Sequence, residues 1–373
     1  MSHPPAASAI RPRGDTGTAR LRDLEQRALT HNVPVEDALL IAVNLFGISS
    51  EHSDRHRARV NLRLARRPET PWQVIVPLNR PSSPFLLRGD ELQLDGKVVA
   101  HVERIDADEA VGGYFRNGGR AATLNPNARS RCVGCAFCPN TLEAAADPRM
   151  SEDHGLDDLL RALAEQHPRR NLAELTEVTV STGCFEREKA AVAHLVDLRA
   201  ALTRAGVDAR VGFLTSVLRS DEAFEVLARQ VAPFVLRLTT EVFTRRSAVL
   251  KSTKADLLPE QMPDLLARAR ARGLDTSYTY IVGLDPMEDL VRGVNGMADV
   301  VSAFPNFQVF QAHTVMMAGL RVPGAEALDY YLQARGEIER AMAPTGLLPV
   351  GWECYRPLWY FSYAGQELAD GSR

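Results

Sequence analysis

The run 176-TEVTVSTGCFEREKAAVAHLVDLRAALTRAG-206 reads as one strand followed by one helix. Its first seven residues are rich in Val and Thr, the β-branched types that suit a pleated surface. From Glu186 onward the apolar residues Val192, Leu195, Leu198 and Leu202 share one helical face, and Gly206 supplies a left-handed cap. The same rhythm continues downstream. Candidate strands 209-ARVGFLTS-216, 234-FVLRLTTE-241, 276-TSYTYIVG-283 and 307-FQVFQAHTV-315 alternate with amphipathic segments. One of these, 261-QMPDLLARARARG-273, carries Pro263 and Asp264 in its first turn and closes on Gly273. Repeated βα units demand a parallel sheet with right-handed crossovers, as an open doubly wound sheet or as a barrel. In either form the site is built at the C-terminal strand ends. That selects Ser181-Thr182-Gly183-Cys184, Thr215-Ser216, Thr239-Thr240-Glu241, Gly283-Leu284-Asp285 and His313-Thr314.

Upstream the texture differs. Residues 1–18, rich in Pro, Ala, Ser, Gly and Arg, have almost nothing to bury and read as a disordered lead. An accessory region spans 19–115. Leu21, Leu24, Ala28, Leu39, Leu40, Val43 and Leu45 predict two or three helices up to residue 66, with 54-DRHRARVNLRLARR-67 as a solvated helix face. From about 70 to 115, alternating runs broken at Asn79-Arg80-Pro81 and Asp95-Gly96 predict β-hairpins.

With 373 residues and 45% hydrophobic content the chain can bury a large core. A formal net charge of -3, without long like-charge runs, gives no reason to expect nucleic acid or an anionic membrane as partner, so a small molecule is expected. No apolar stretch approaches the roughly 18 residues of a membrane span, and the polar N-terminus lacks a signal-peptide core. A cytoplasmic protein is the expectation. In a reducing compartment clustered cysteines favour metal over disulfides.

Three of the five cysteines stand in 129-RSRCVGCAFCPN-140. Structural zinc takes four ligands, usually as two separated pairs, and no second C-x-x-C pair exists in the chain. A cluster held by Cys132, Cys135 and Cys138 leaves one iron open for a substrate or cofactor.

The three-cysteine loop, with Phe137 before its last cysteine and Pro139-Asn140 after it, ahead of about six βα units, resembles the radical S-adenosylmethionine superfamily. The first gap is one residue shorter than the family's usual C-x-x-x-C-x-x-C. Gly134 lets the shorter loop fold. The resemblance covers about residues 120 to 320 and implies a partial (β/α)6 TIM-like barrel over 116–320, with a C-terminal helix and capping segment over 321–373. It also implies a 4Fe-4S cluster whose open iron holds S-adenosylmethionine, and one-electron cleavage to a 5'-deoxyadenosyl radical that abstracts hydrogen from a small substrate. An external reductant such as flavodoxin or ferredoxin would supply the electron.

Residue by residue, Ser181, Thr182 and Gly183 occupy the place of the family's Gly-Gly-Glu-like turn, without its glutamate. Glu186 stands slightly downstream. Thr239 and Glu241 match the acidic end of the fourth strand, Arg246 is the candidate for the cofactor carboxylate, and Gly283 falls beside adenine. Cys184 and Cys354 are candidate hydrogen donors, or small buried residues. Arg237, Tyr278, Tyr280 and Gln311 are expected to line the lumen as substrate contacts, with His313 near a strand end as a proton carrier or core histidine. In 350-VGWECYRPLWYF-361 the aromatic residues either cap the mouth or pack on the core. The rival class is a zinc-stabilised binding or scaffold protein.

Overall fold

The computed structural model describes residues 20–50, 57–78, 80, 82–107, 115–124, 134–138, 155–181, 185, 187–351 and 353–368. Helices α1 (Leu21–Thr30) and α2 (Val35–Phe46) open the chain. They precede strands β1 (Ser49–Ser50), β2 (Arg57–Leu64), β3 (Arg67–Pro77), β4 (Phe85–Arg88), β5 (Glu91–Leu94) and β6 (Lys97–Ala107). These six form one sheet in the order β1-β4-β5-β6-β2-β3. At the β5–β6 turn Asp95 and Gly96 both take positive φ, 53° and 71°, the conformation a two-residue hairpin needs.

The basic run expected on a helix face is instead β2. Ala58, Val60, Leu62 and Leu64 are buried at every second position, and Arg57, Arg59, Asn61 and Arg63 alternate with them. Period two, not charge, decides the element. The predicted lead (1–18) and the turn residues Asn79 and Pro81 lie outside the described residues.

The second sheet contains β7 (Phe115–Arg116), β8 (Ala121–Leu124), β9 (Glu177–Val180), β10 (Arg210–Thr215), β11 (Phe234–Glu241), β12 (Asp275–Val282) and β13 (Asn306–Val309), each beside the next in sequence. From β8 to β13 every pairing is parallel, and only β7 runs antiparallel. This is the expected partial (β/α)6 barrel. The strand predicted over 307–315 covers only its first part, because Phe310 to His313 leave the ladder and Thr314 caps the short helix α10 (Val315–Ala318), whose number follows the helices below. β8, four residues of AATL, carries too little pattern to be read from sequence.

Helices α3 (Leu156–Gln166), α4 (Glu188–Arg204), α5 (Asp221–Gln230), α8 (Met262–Ala271) and α9 (Met287–Ala298) belong to the crossovers, while α6 (Arg246–Val249) and α7 (Ser252–Ala255) are single turns after β11. Registers fix which residues face where, since neighbours across a parallel pair share a face. Leu236, Leu238, Phe213 and Val180 point out to a core with Leu195, Phe224, Leu266 and Val294 of the helices. Arg237 pairs in register with Leu214 and Ser277, and Thr239 with Thr279, on the concave face.

Helix α11 (Leu328–Met342) packs on α9 of the barrel and on α2 of the accessory region. Fully buried Asp37 on α2 accepts the Tyr360 and Phe361 backbone N–H at 2.9 and 2.8 Å, and the Arg335 guanidinium of α11 at 2.6 Å. Trp72 meets the edges of Tyr360 and Phe361 at 5.2 and 5.1 Å, so the C-terminal aromatic residues pack on the core. Removing one partner of such a buried ion pair costs about 3–5 kcal/mol. Asp37→Ala is therefore expected to lower the urea midpoint by that equivalent, with the slope unchanged.

Candidate functional site

Arg237 lies at the floor of the concave face, fully enclosed. Its guanidinium meets Glu177 of β9 at 3.0 Å and Glu353 of the C-terminal segment at 3.0 Å. To reach β9 it passes over β10 at Gly212, where a Cβ would strike both the guanidinium and the Thr179 hydroxyl. Arg210 adds a 2.6 Å contact to Glu177. Burial works against both charges. Glu353 and then Glu177 outweigh it and raise the Arg237 pKa. For Glu177, burial is outweighed by Arg237, Arg116, Arg210 and the Thr179 hydroxyl, which together hold its carboxyl at about 2.

Glu353 belongs to a segment that closes the open side of the half-barrel. Its carbonyl accepts from Arg116 on the β7 edge at 3.1 Å, Cys354 donates its thiol to the Phe307 carbonyl on the β13 edge at 3.5 Å, and the Arg356 carbonyl accepts the Val309 N–H at 2.8 Å. Both sheet edges are thereby covered.

At the C-terminal mouth the chain after β11 is unusual. The ladder shifts between Thr239 and Glu241, and Glu241 takes φ 62°, so its carboxylate turns to Lys254 of α7 at 2.9 Å. Asp285, after β12, holds this segment from below. It accepts the N–H groups of Phe243 and Thr244 at 2.7 and 2.9 Å, the Tyr280 hydroxyl at 2.9 Å and the Thr244 hydroxyl. Arg246 spends its guanidinium on the carbonyls of Thr240, Val242 and Lys254. Burial, partly offset by Glu241 and Asp285, lowers its pKa to about 10, so it stays charged at neutral pH.

The turn of residues 134–138 packs on this segment. Ala136 donates to the Val249 carbonyl at 2.9 Å, and the Cys138 N–H to the Cys135 carbonyl at 3.1 Å. Cys135 Sγ accepts the Lys251 N–H at 3.5 Å. Gly134 takes φ +104°, and a Cβ there would come within 3.0 Å of Lys251. Cys135 and Phe137 lie against Val242, Val249, Leu250, Ile281 and Phe310. Burial raises the Cys135 thiol pKa, while Lys254 and the Lys251 N–H pull it down. Two neighbouring cysteines, an N–H aimed at the Cys135 sulfur, a nearby cation and an apolar wall fit a thiolate-bound metal cluster. Cys132 lies outside the described residues.

The other expected residues separate into groups. Thr182, Gly183 and Cys184 lie outside the described residues, and Ser181 donates its N–H to the Leu124 carbonyl at the end of β8 at 2.9 Å. Gly283 takes φ +112°, with the Tyr331 hydroxyl 2.5 Å from where its Cβ would stand. Tyr278 and Tyr280, expected in the lumen, point outward. They alternate with Ser277 and Thr279, and Tyr280 stacks at 5.0 Å on Phe243, for which Gly293 of α9 leaves room. Arg237 is in the lumen but already held by two carboxylates. Gln311 joins the accessory region instead, donating to Asn44 at 3.1 Å and the Ile75 carbonyl at 2.7 Å. The carbonyl of half-buried His313 accepts from Arg80 at 3.1 Å. Sequence reasoning missed Asp285 and Lys254 as partners, since nothing local marks a carboxylate that holds a neighbouring loop.

No family model and no curated protein matches the chain. Among solved structures the fold is similar to Streptococcus suis SuiB bound to S-adenosylmethionine (TM-score 0.36, 11% identity, 52% of this chain and 41% of that one). It is also similar to the radical S-adenosylmethionine methyltransferase TsrM from Kitasatospora setae, with cobalamin and a [4Fe-4S] cluster (0.34, 15%, 50% and 36%). HydG, a maturase of the [FeFe]-hydrogenase, gives 0.42 at 13%, covering 60% of this chain and 49% of that one. The chain spans less than half the length of each, and likenesses this slight define neither its substrate nor its reaction.

The folded pKa of Glu177 lies below its ordinary value of 4.5, so its charge stabilises the fold above about pH 4.5, and that contribution is lost as pH falls through about 2. In acid-unfolding series the stability gap between wild type and Glu177→Gln is expected to be full at pH 7 and to shrink across that window.

Proposed function

We propose that this chain is a radical S-adenosylmethionine enzyme acting on a small polar substrate in the lumen of its half-barrel. The observation that carries the proposal is the turn that brings Cys135 and Cys138 together, docked at the mouth of a partial (β/α)6 barrel against the segment that holds Glu241 and Lys254. Cys132, Cys135 and Cys138 would hold a 4Fe-4S cluster. When bound with S-adenosylmethionine, that cluster supplies one-electron cleavage of the sulfonium and abstraction of hydrogen from an unactivated C–H bond.

The chain's own residues have definite tasks in this proposal. Val242, Val249, Leu250 and Phe310 keep water from the thiolates. The Lys251 N–H and the Lys254 ammonium favour the deprotonated sulfur. Glu241 is the candidate acceptor for the cofactor's ribose or amino group, beside Ser181, Thr182, Gly183, Thr239 and Phe137, whereas the space at Gly283, expected beside adenine, is taken by the Tyr331 hydroxyl. Arg246, spent on three carbonyls, acts as a brace for this loop in place of the carboxylate contact expected of it. Cys184 remains the candidate for returning a hydrogen atom to the substrate, whereas the Cys354 thiol faces the Phe307 carbonyl and serves the sheet edge. The electron would come from a flavodoxin or ferredoxin in the cytoplasm.

Anaerobic reconstitution tests the proposal. The protein is expected to turn brown, to hold about four iron atoms, and to release 5'-deoxyadenosine under a strong reductant. Cys135→Ala and Cys138→Ala are each expected to abolish both iron retention and release. A colourless protein with one zinc per chain would support the scaffold alternative and sink this reading.

A further inference from the structure

Above the Arg237 floor, the concave face carries a level of polar side chains with few partners. Thr239, Thr279 and Asn306 stand side by side on three adjacent strands, and the Ser216 hydroxyl bonds that of Thr239. Thr279 is 2% exposed and its hydroxyl is buried with no hydrogen-bond partner. Asn306, 7% exposed, makes no side-chain hydrogen bond among the described residues. Buried polar groups are normally satisfied, and the orphaned Thr279 hydroxyl beside the Asn306 amide marks a place for a ligand.

One level higher, Gln308 aligns with Ile281 on the same face and accepts from Arg356 at 2.5 Å. The Arg356 side chain is 7% exposed, its guanidinium 5.0 Å from the Tyr355 ring centroid. Its Nε is buried without a partner, and among the described residues it forms no ion pair. Its neighbours are treated differently. Arg237 and Arg210 are offset by Glu177, Glu353 and Asp275. A buried cation without a carboxylate is costly unless an anion completes it.

We infer that this level of the lumen binds an oxyanion of the substrate, a carboxylate or phosphate, on Arg356 and Gln308, while Thr279 and Asn306 meet neighbouring hydroxyl or amide groups. The inference deepens the radical reading by naming the substrate class and rests on it for the reaction. The binding stands independently.

Calorimetric titration of the full chain, purified anaerobically with its iron content recorded, tests this with inorganic phosphate, succinate and neutral ribitol as probes. One of the two anions is expected to bind one to one, and which one identifies the oxyanion. Arg356→Met should weaken it about tenfold or more, as loss of a charge-assisted bidentate contact does. Thr279→Val should weaken it several-fold and leave the urea midpoint equal or higher, because it deletes an unsatisfied hydroxyl. That combination separates a ligand contact from a structural one. Absence of anion binding, binding of ribitol alone, or anion binding unchanged in both variants overturns the inference. Protein that stays iron-free after anaerobic reconstitution yet binds the anion through Arg356 sinks the radical reading alone. Iron-loaded protein without anion binding sinks this inference alone.

Discussion

A guanidinium enclosed in the middle of a half-barrel has to be neutralised by the chain itself, and Arg237 organises the structure around that requirement. Its two carboxylates come from opposite ends of the barrel sequence, Glu177 at the start of β9 and Glu353 after the last helix. Gly212 exists to let the side chain cross β10. The placement of the C-terminal segment follows, because Glu353 reaches Arg237 only if residues 353–356 lie across the open side and bind both sheet edges. Polar groups above this floor can then remain without partners of their own.

The mouth obeys a different constraint. The segment after β11 gives the Cys135 thiol an apolar wall and a directed N–H group through a strained course. Glu241 and Arg245 take positive φ, 62° and 49°. Asp285 and Arg246 hold that course with hydrogen bonds to backbone groups. Strain of this kind persists only where surroundings over-determine it. The same atoms that fix Glu241 also carry Lys251 and Lys254 to the Cys135 side.

Much of this was legible in the sequence, and the exceptions have physical causes. The strand 234–241 and the crossover helices were readable because parallel strands buried on both faces and amphipathic helices leave strong local patterns. The run 54–67 is dense enough in arginine to suit a solvated helix face, and only the alternation of Ala58, Val60, Leu62 and Leu64 marks it as β2. Tyr278 and Tyr280 could not be assigned a face from their own strand, since period two gives two faces and only the register with Arg237 and Ser277 tells which is concave. The role of Arg237 needed Glu353, 116 residues away, and no local signal reports such a partner.

Closure of the half-barrel by residues 353–356 has a consequence for synthesis and for change over time. During translation the strands and the thiol turn leave the ribosome before Glu353, so Arg237 has only Glu177 opposite it until residues 353–356 emerge. The stretch that finishes the enclosure also carries Arg356, and it shares no residues with the thiol turn or with the segment after β11. Substitutions within residues 353–356 can therefore alter the wall beside Arg237 and Gln308 while leaving the thiol turn untouched.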